Sequence, residues 1–209
     1  GSAWEAGFGI EPSADADETR DKLIEAYEAA GIAVLELAPA EDKNTFVVTK
    51  ALADELGLSK VSDLSKVDGL VLGGPPECPE RPRCQPGLES VYGLEIAEFK
   101  ALDAGGSLTV AALNGGEIDA GLFFTTYLFI DEFLALEDDE GLQPAENVVP
   151  VVSQEILDEY GTSLEDLIND VSSKITTDAL IEMNERFFAP EDADAIALDF
   201  LVDNGFIDS

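Results

Sequence analysis

The chain has no histidine, one methionine, one tryptophan, two cysteines and only 11 basic residues among 209. Each scarcity excludes something. Without histidine the commonest general base and a favoured metal ligand are missing. Two cysteines cannot supply the four Cys/His ligands of a structural zinc site. The 11 Lys and Arg stand against 45 Asp and Glu, a formal net charge of −34 that disfavours nucleic acid and anionic membranes as partners. Long hydrophobic runs are scarce too: "GLFFTTYLFI" (121–130) falls well short of the roughly 18 residues that span a bilayer. No basic n-region with an apolar h-region opens the chain, which is equally true of mature secreted proteins.

What is present is the material of a folded α/β protein. Apolar residues make up 45% of the chain, and its length allows one or two domains with a sizeable core. The acidic excess suits high ionic strength, where salt screens self-repulsion. Helical spacing predicts an amphipathic helix over 14–31, with Leu23, Ile24, Tyr27 and Ala30 on one face. Strands are predicted at 32–37, 44–49, 69–74, 98–102, 120–124, 133–138 and 147–153. Helices are predicted at 50–58, 61–67 (Ser62 as N-cap), near 87–93 and at 108–114. Beyond 153 the pattern turns helical. Ser163 and Asp166 read as a capping box, and Pro190 and Gly205 bracket the last helix. Strand–helix alternation followed by a helical tail predicts α/β architecture with mostly parallel sheets.

Candidate chemistry is sparse. "PPECPERPRCQPGL" (75–88) holds both cysteines and two arginines. The C-x5-C spacing is not the C-x-x-C of redox motifs. Two thiols in a short, proline-stiffened loop read most simply as a disulfide in an oxidising compartment, with two unpaired cysteines as the alternative. "DAGGSLTVAALNGG" is either an anion-cradling turn or a plain tight turn before a helix, and it matches no nucleotide-binding pattern. Phe123, Phe124, Tyr127 and Phe129 fall at and just after a predicted strand end, where open α/β sheets place ligands, although taken alone they read first as core residues. Acid runs such as "LEDDEG" (136–141) read as solvated surface, and no metal or cofactor site is expected.

From about residue 10 onward the chain resembles the substrate-binding proteins of ABC importers for glycine betaine, choline and related osmoprotectants. The resemblance runs in order through "EPSADADET", "DKNTFVVTK", "LSKVSDL", "GGPPECPERPRCQPGLESVYGL", "FKALDAGGSLTVAALNGGEIDAGLFFTT", "LEDDEGLQPAENVVPVV" and "SSKITTDALIEMN". It implies a type II periplasmic-binding fold: two α/β lobes joined by a hinge, the first from 1–49 and 151–209, the second from 50–150. Members of this family open with a further strand–helix–strand unit, whereas this chain opens at "GSAWEAGFG". An incomplete first lobe is therefore expected, and with it an exposed apolar patch and a homodimer or a rearranged lobe.

The resemblance also implies a site. A quaternary ammonium has no N–H to donate, so aromatic faces and nearby negative charge must recognise it. A ligand carboxylate calls for arginine. Carried over position by position, the ligand residues would be Asn44, Phe46, Arg81, Phe124, Thr126, Tyr127, Glu146 and Asn147, with a Cys78–Cys84 disulfide around Arg81. Tyr127 stands where the family block has aspartate, Phe46 where it has tyrosine, and Glu146 where another tyrosine is usual. The implied role is extracytoplasmic capture of a quaternary amine for an ABC permease, without catalysis or cofactor. The alternative is a structural or interaction protein that no longer binds ligand.

Overall fold

The computed structural model describes residues 13–128, 130–189 and 191–208. Expectations for 1–12, Phe129 and Pro190 lie outside the described residues. Two compact units emerge, Gly1–Asp42 with Pro144–Ser209, and Lys43–Gln143.

The Lys43–Gln143 unit is built on a five-stranded sheet. Its strands are β2 (Asn44–Thr49), β3 (Val71–Gly74), β4 (Glu98–Ala101), β5 (Ala120–Phe124) and β6 (Phe133–Ala135), in the order β4-β3-β5-β2-β6. β3 runs parallel to β4 and β5, but β2 is antiparallel to both β5 and β6. The sheet is thus mixed rather than mostly parallel, because β2 enters it from the opposite direction. Strand alternation separates two apolar layers. Phe46, Val48, Leu72 and Leu122 join one, and Val47, Leu113, Phe123 and Phe133 join the other. Three helices cover it: α2 (Lys50–Leu56), α3 (Gln85–Val91) and α4 (Ser107–Asn114).

The other unit holds α1 (Ala16–Glu28) and a two-stranded antiparallel sheet of β1 (Ile32–Val34) and β7 (Val151–Ser153). Four helices follow: α5 (Gln154–Tyr160), α6 (Thr162–Ser172), α7 (Thr177–Phe188) and α8 (Ala193–Asp203). The Asp15 carboxylate caps α1 by accepting from the Glu18 amide at 2.9 Å.

The units part at 42/43 and 143/144, earlier than the 49/50 and 150/151 read from the sequence. The reason is hydrogen bonding. β2 is held between β5 and β6, while 146–150 bonds back to 35–42 through Asp42 N to Glu146 O (3.1 Å), Ala38 N to Val148 O (2.8 Å) and Leu35 N to Pro150 O (3.0 Å).

Local differences have local causes. Residues Val61–Lys66 form a 3-10 helix that Ser62 does not cap. Instead the Asp63 carboxylate accepts from the amides of Ser59 (2.9 Å) and Lys60 (3.1 Å), and Ser62 donates to Asp139 at 2.7 Å. Gly161, not Ser163, caps α6. Strand 147–153 shrinks to its last three residues, since Pro150 has no N–H to give a ladder.

Candidate ligand-binding site

The carboxyl ends of the parallel strands β3, β4 and β5, together with the amino end of β2, form one edge of the sheet. Most candidates in this unit gather there. Asn44 opens β2 and pairs in register with Phe124, the last residue of β5. Phe124 is 36% exposed although its neighbour Phe123 is fully buried. An aromatic face is thus open to solvent at the strand end. Beyond it the chain is fixed to β2: the Thr125 amide donates to Lys43 O (2.9 Å) and the Lys43 amide to Thr125 Oγ1 (3.1 Å). Thr126 is buried.

After β3 comes the loop with the two cysteines, and they are bridged, with Cα atoms 5.2 Å apart. Both are buried in the apolar layer that contains Leu72 and Leu88. Arg81 lies midway, and its backbone is tied to both ends of the bridge. Its amide donates to Cys78 O at 3.2 Å, and its carbonyl accepts from the Cys84 amide at 2.9 Å. The backbone is clamped while the side chain stays 37% exposed, 3.6 Å from the Glu77 carboxylate. An exposed pair of that kind contributes little to stability.

Phe46 requires a correction. It is 1% exposed and packed with Val48, Leu58, Val61 and Leu72, so it forms the floor beneath Asn44 rather than a ring open to ligand. Its aromaticity was legible, but its depth along β2 was not. Tyr127 makes an edge contact with Phe123, ring centroids 5.9 Å apart, against the second apolar layer. Burial, helped by the nearby Asp103 carboxylate, pushes its phenol above the usual value.

The glycine-rich turn before α4 already has its anion. Asp103 accepts from the amides of Leu108 and Thr109, each at 3.0 Å, and from the Thr109 hydroxyl at 2.6 Å. Burial pushes this carboxyl up, but the Thr109 hydroxyl and the two amides outweigh it and hold the group below the ordinary carboxylate range. Gly105 permits the turn, with φ +84° and Phe123 only 2.8 Å from where a Cβ would sit.

Glu146 and Asn147 belong to the other unit. The Glu146 carbonyl accepts from Asp42, Asn147 bridges to Glu41, and Asn147 Nδ2 donates to Ala38 O at 3.1 Å. Asn147 Oδ1 is buried without a hydrogen-bond partner among the described residues. Among the described residues no group of three or more His, Cys, Asp or Glu could hold a metal ion.

One residue escaped the sequence reading. Gln143, 4% exposed, donates from Nε2 to Arg83 O at 2.8 Å and accepts at Oε1 from Asn44 Nδ2 at 3.4 Å. It therefore touches both the disulfide loop and β2.

At one edge of its mixed sheet, the Lys43–Gln143 unit thus carries a clamped arginine loop and an open aromatic, the arrangement expected of the periplasmic-binding class. Comparison with known proteins specifies the class further. Residues 10–203 match the family described as the substrate binding domain of ABC-type glycine betaine transport systems. The chain belongs to that family, and its role is that of a solute-binding protein for an ABC importer. The glycine betaine-binding protein YehZ of Escherichia coli (strain K12) is 26% identical over 98% of this chain and 68% of its own length. A crystal structure of a glycine betaine/carnitine/choline ABC transporter superposes with a TM-score of 0.85 at 22% identity, covering 97% of this chain and 75% of that one. Apo YehZ gives a TM-score of 0.69 at 24% identity, covering 91% and 71%. These structural likenesses establish the fold.

Proposed function

We propose that this chain captures a quaternary-ammonium osmolyte of the glycine betaine or choline type and passes it, chemically unchanged, to an ABC permease. The observation that carries the reading is the loop in which Arg81 is tied by its backbone to both bridged cysteines while its side chain stays accessible. A carboxylate ligand needs such a donor, held in place and only weakly committed elsewhere. The open face of Phe124 supplies quadrupole attraction for a cation that cannot hydrogen-bond. Asn44, Thr126 and Tyr127 are the further ligand residues proposed in the Lys43–Gln143 unit, and Glu146, as a counter-charge, and Asn147 are those proposed in the other unit. The names of the relatives, which print glycine betaine, carnitine and choline, support the same ligand class.

The same loop supports extracytoplasmic residence, because a buried disulfide persists where thiols are not kept reduced. Exposed apolar side chains on α6, α7 and α8, such as Leu167, Phe188 and Leu198, support association with a second copy. Light scattering after size exclusion tests that part, and a monomer at every concentration would end it.

A thermal-shift panel of glycine betaine, choline, carnitine and proline betaine tests the function. A ligand that binds the native state raises Tm. A rise with at least one is expected, with the ligand recovered intact. No shift at millimolar concentrations with any of the four would refute the reading, and turnover would replace capture with catalysis.

A further inference from the structure

We infer that Gln143 is the positioning residue that sets the polarity of the site, by fixing which end of the Asn44 amide is offered to the ligand. The inference rests on the proposed ligand class for its meaning but on hydrogen-bond chemistry for its direction. A backbone carbonyl only accepts, so the Arg83 carbonyl forces Gln143 to turn its NH2 toward the disulfide loop, as the 2.8 Å contact shows. The Gln143 oxygen then faces Asn44 and can only accept. Asn44 must answer with its own NH2, the 3.4 Å contact. One choice at the loop thus propagates across two amides and commits the Asn44 Oδ1 atom to be an acceptor for whatever lies beyond. A carbonyl oxygen carries partial negative charge, which suits a cation and repels a carboxylate. The cationic end of a zwitterion is thereby directed to Asn44 and Phe124, leaving the carboxylate for Arg81.

Gln143 is itself immobilised. The Asp138 carboxylate accepts from the amides of Leu142 (2.9 Å) and Gln143 (2.6 Å), and the Tyr92 hydroxyl donates to the same carboxylate. Tyr92 in turn accepts from the Glu140 amide at 3.0 Å. Burial and the hydrogen bond to Asp138 raise the Tyr92 phenol far above its ordinary range, so it remains a donor at any physiological pH. A side chain 4% exposed and gripped on both sides does not rotate freely, so the polarity it transmits is fixed before ligand arrives.

Two measurements on the full chain test the relay. In the first, calorimetry with glycine betaine compares wild type, Gln143→Met, Asn44→Ala and the double variant. Gln143→Met keeps the volume and removes both hydrogen bonds, and is expected to weaken binding roughly tenfold. On the Asn44→Ala background the same change should have almost no further effect, because the relay then has nothing to orient. Losses that simply add would mean Gln143 acts only as packing and would overturn the inference. The second measurement needs no ligand. The Asn44 side-chain NH2 resonances, assigned with Asn44→Asp, should exchange slowly in wild type and in Gln143→Glu, which retains the acceptor, and quickly in Gln143→Met. Equal exchange in all three would overturn the relay even if betaine binds. Slow exchange with no binding of glycine betaine or choline would uphold the relay and discard the ligand reading.

Discussion

The sheet unit and the helical tail carry apolar residues at similarly regular spacing, yet they differ sharply in what they bury. In Lys43–Gln143 nearly every apolar residue of β2, β3 and β5 is withdrawn from water, including Phe46, Val47, Leu72, Leu122 and Phe123 at 1% exposure or less. Among the described residues of α5 to α8, only Ser172 and Ile196 are buried. Side chains such as Leu167 (51% exposed) and Phe188 (68%) remain in water. Polar contacts do much of the docking there: Asn169 accepts from the Glu36 amide at 3.0 Å, Thr177 from the Glu41 amide at 3.2 Å, and Ile175 O from the Ala40 amide at 3.0 Å. Rigidity therefore resides in the unit that holds most of the proposed ligand residues, and recognition can be preorganised there. Among the described residues the tail leaves apolar stripes uncovered, and the association with a second copy proposed above would use them.

Substitutions should separate the two regions in graded steps. Leu122→Ala, beneath Phe124 in the buried layer, should cost about 2–5 kcal/mol in chemical denaturation, the usual range for emptying a packed core site. Replacing Cys78 and Cys84 together with serine should cost about 2 kcal/mol from the loop constraint alone, with buried hydroxyls adding to it. It should also free the Arg81 backbone, so glycine betaine affinity should fall with stability. Asp103→Asn should cost about 1 kcal/mol at neutral pH, as for other caps. The folded-state value of Asp103 is depressed, so its contribution is present above the unfolded carboxylate value near ~4 and is lost as pH falls through the folded value. The asparagine variant should therefore be less stable at pH 7 and flatter in its acid limb. Leu167→Ala should change stability by less than about 0.5 kcal/mol. A core-like loss there, growing with protein concentration, would show that a second copy covers the tail.

The sequence reading succeeded where a strand is dense in β-branched and aromatic residues. "NTFVVT" and "AGLFF" are strands over the expected residues, because alternation on a two-faced sheet leaves little freedom in register. It failed where partners are distant. Asp103 as the cap of α4 sits several residues upstream of the helix, so the local capping pattern did not reveal it. Helix α5 fell within the general helical reading beyond 153 but was not delimited, because it is short and buries none of its residues. Gln143 carries no periodic signal, and its partners lie 60 and 99 residues away in the chain. Phe46 misled for the opposite reason. Its residue type matched a ligand position, but it lies on the same face of β2 as Asn44 and two residues deeper, enclosed with Val48 and Leu72 in the apolar layer. Residue type was readable from the sequence, whereas depth and long-range pairing required the fold.

The most direct test of the account is calorimetry on Arg81→Ala with two ligands, glycine betaine and choline. Arg81 is tied into its loop through backbone atoms, so the substitution should leave the fold and the disulfide intact. With a carboxylate ligand such as glycine betaine, the account expects the variant to lose at least about tenfold in affinity relative to wild type, and any choline binding to persist, because choline has no carboxylate. Unchanged glycine betaine affinity in Arg81→Ala would contradict it.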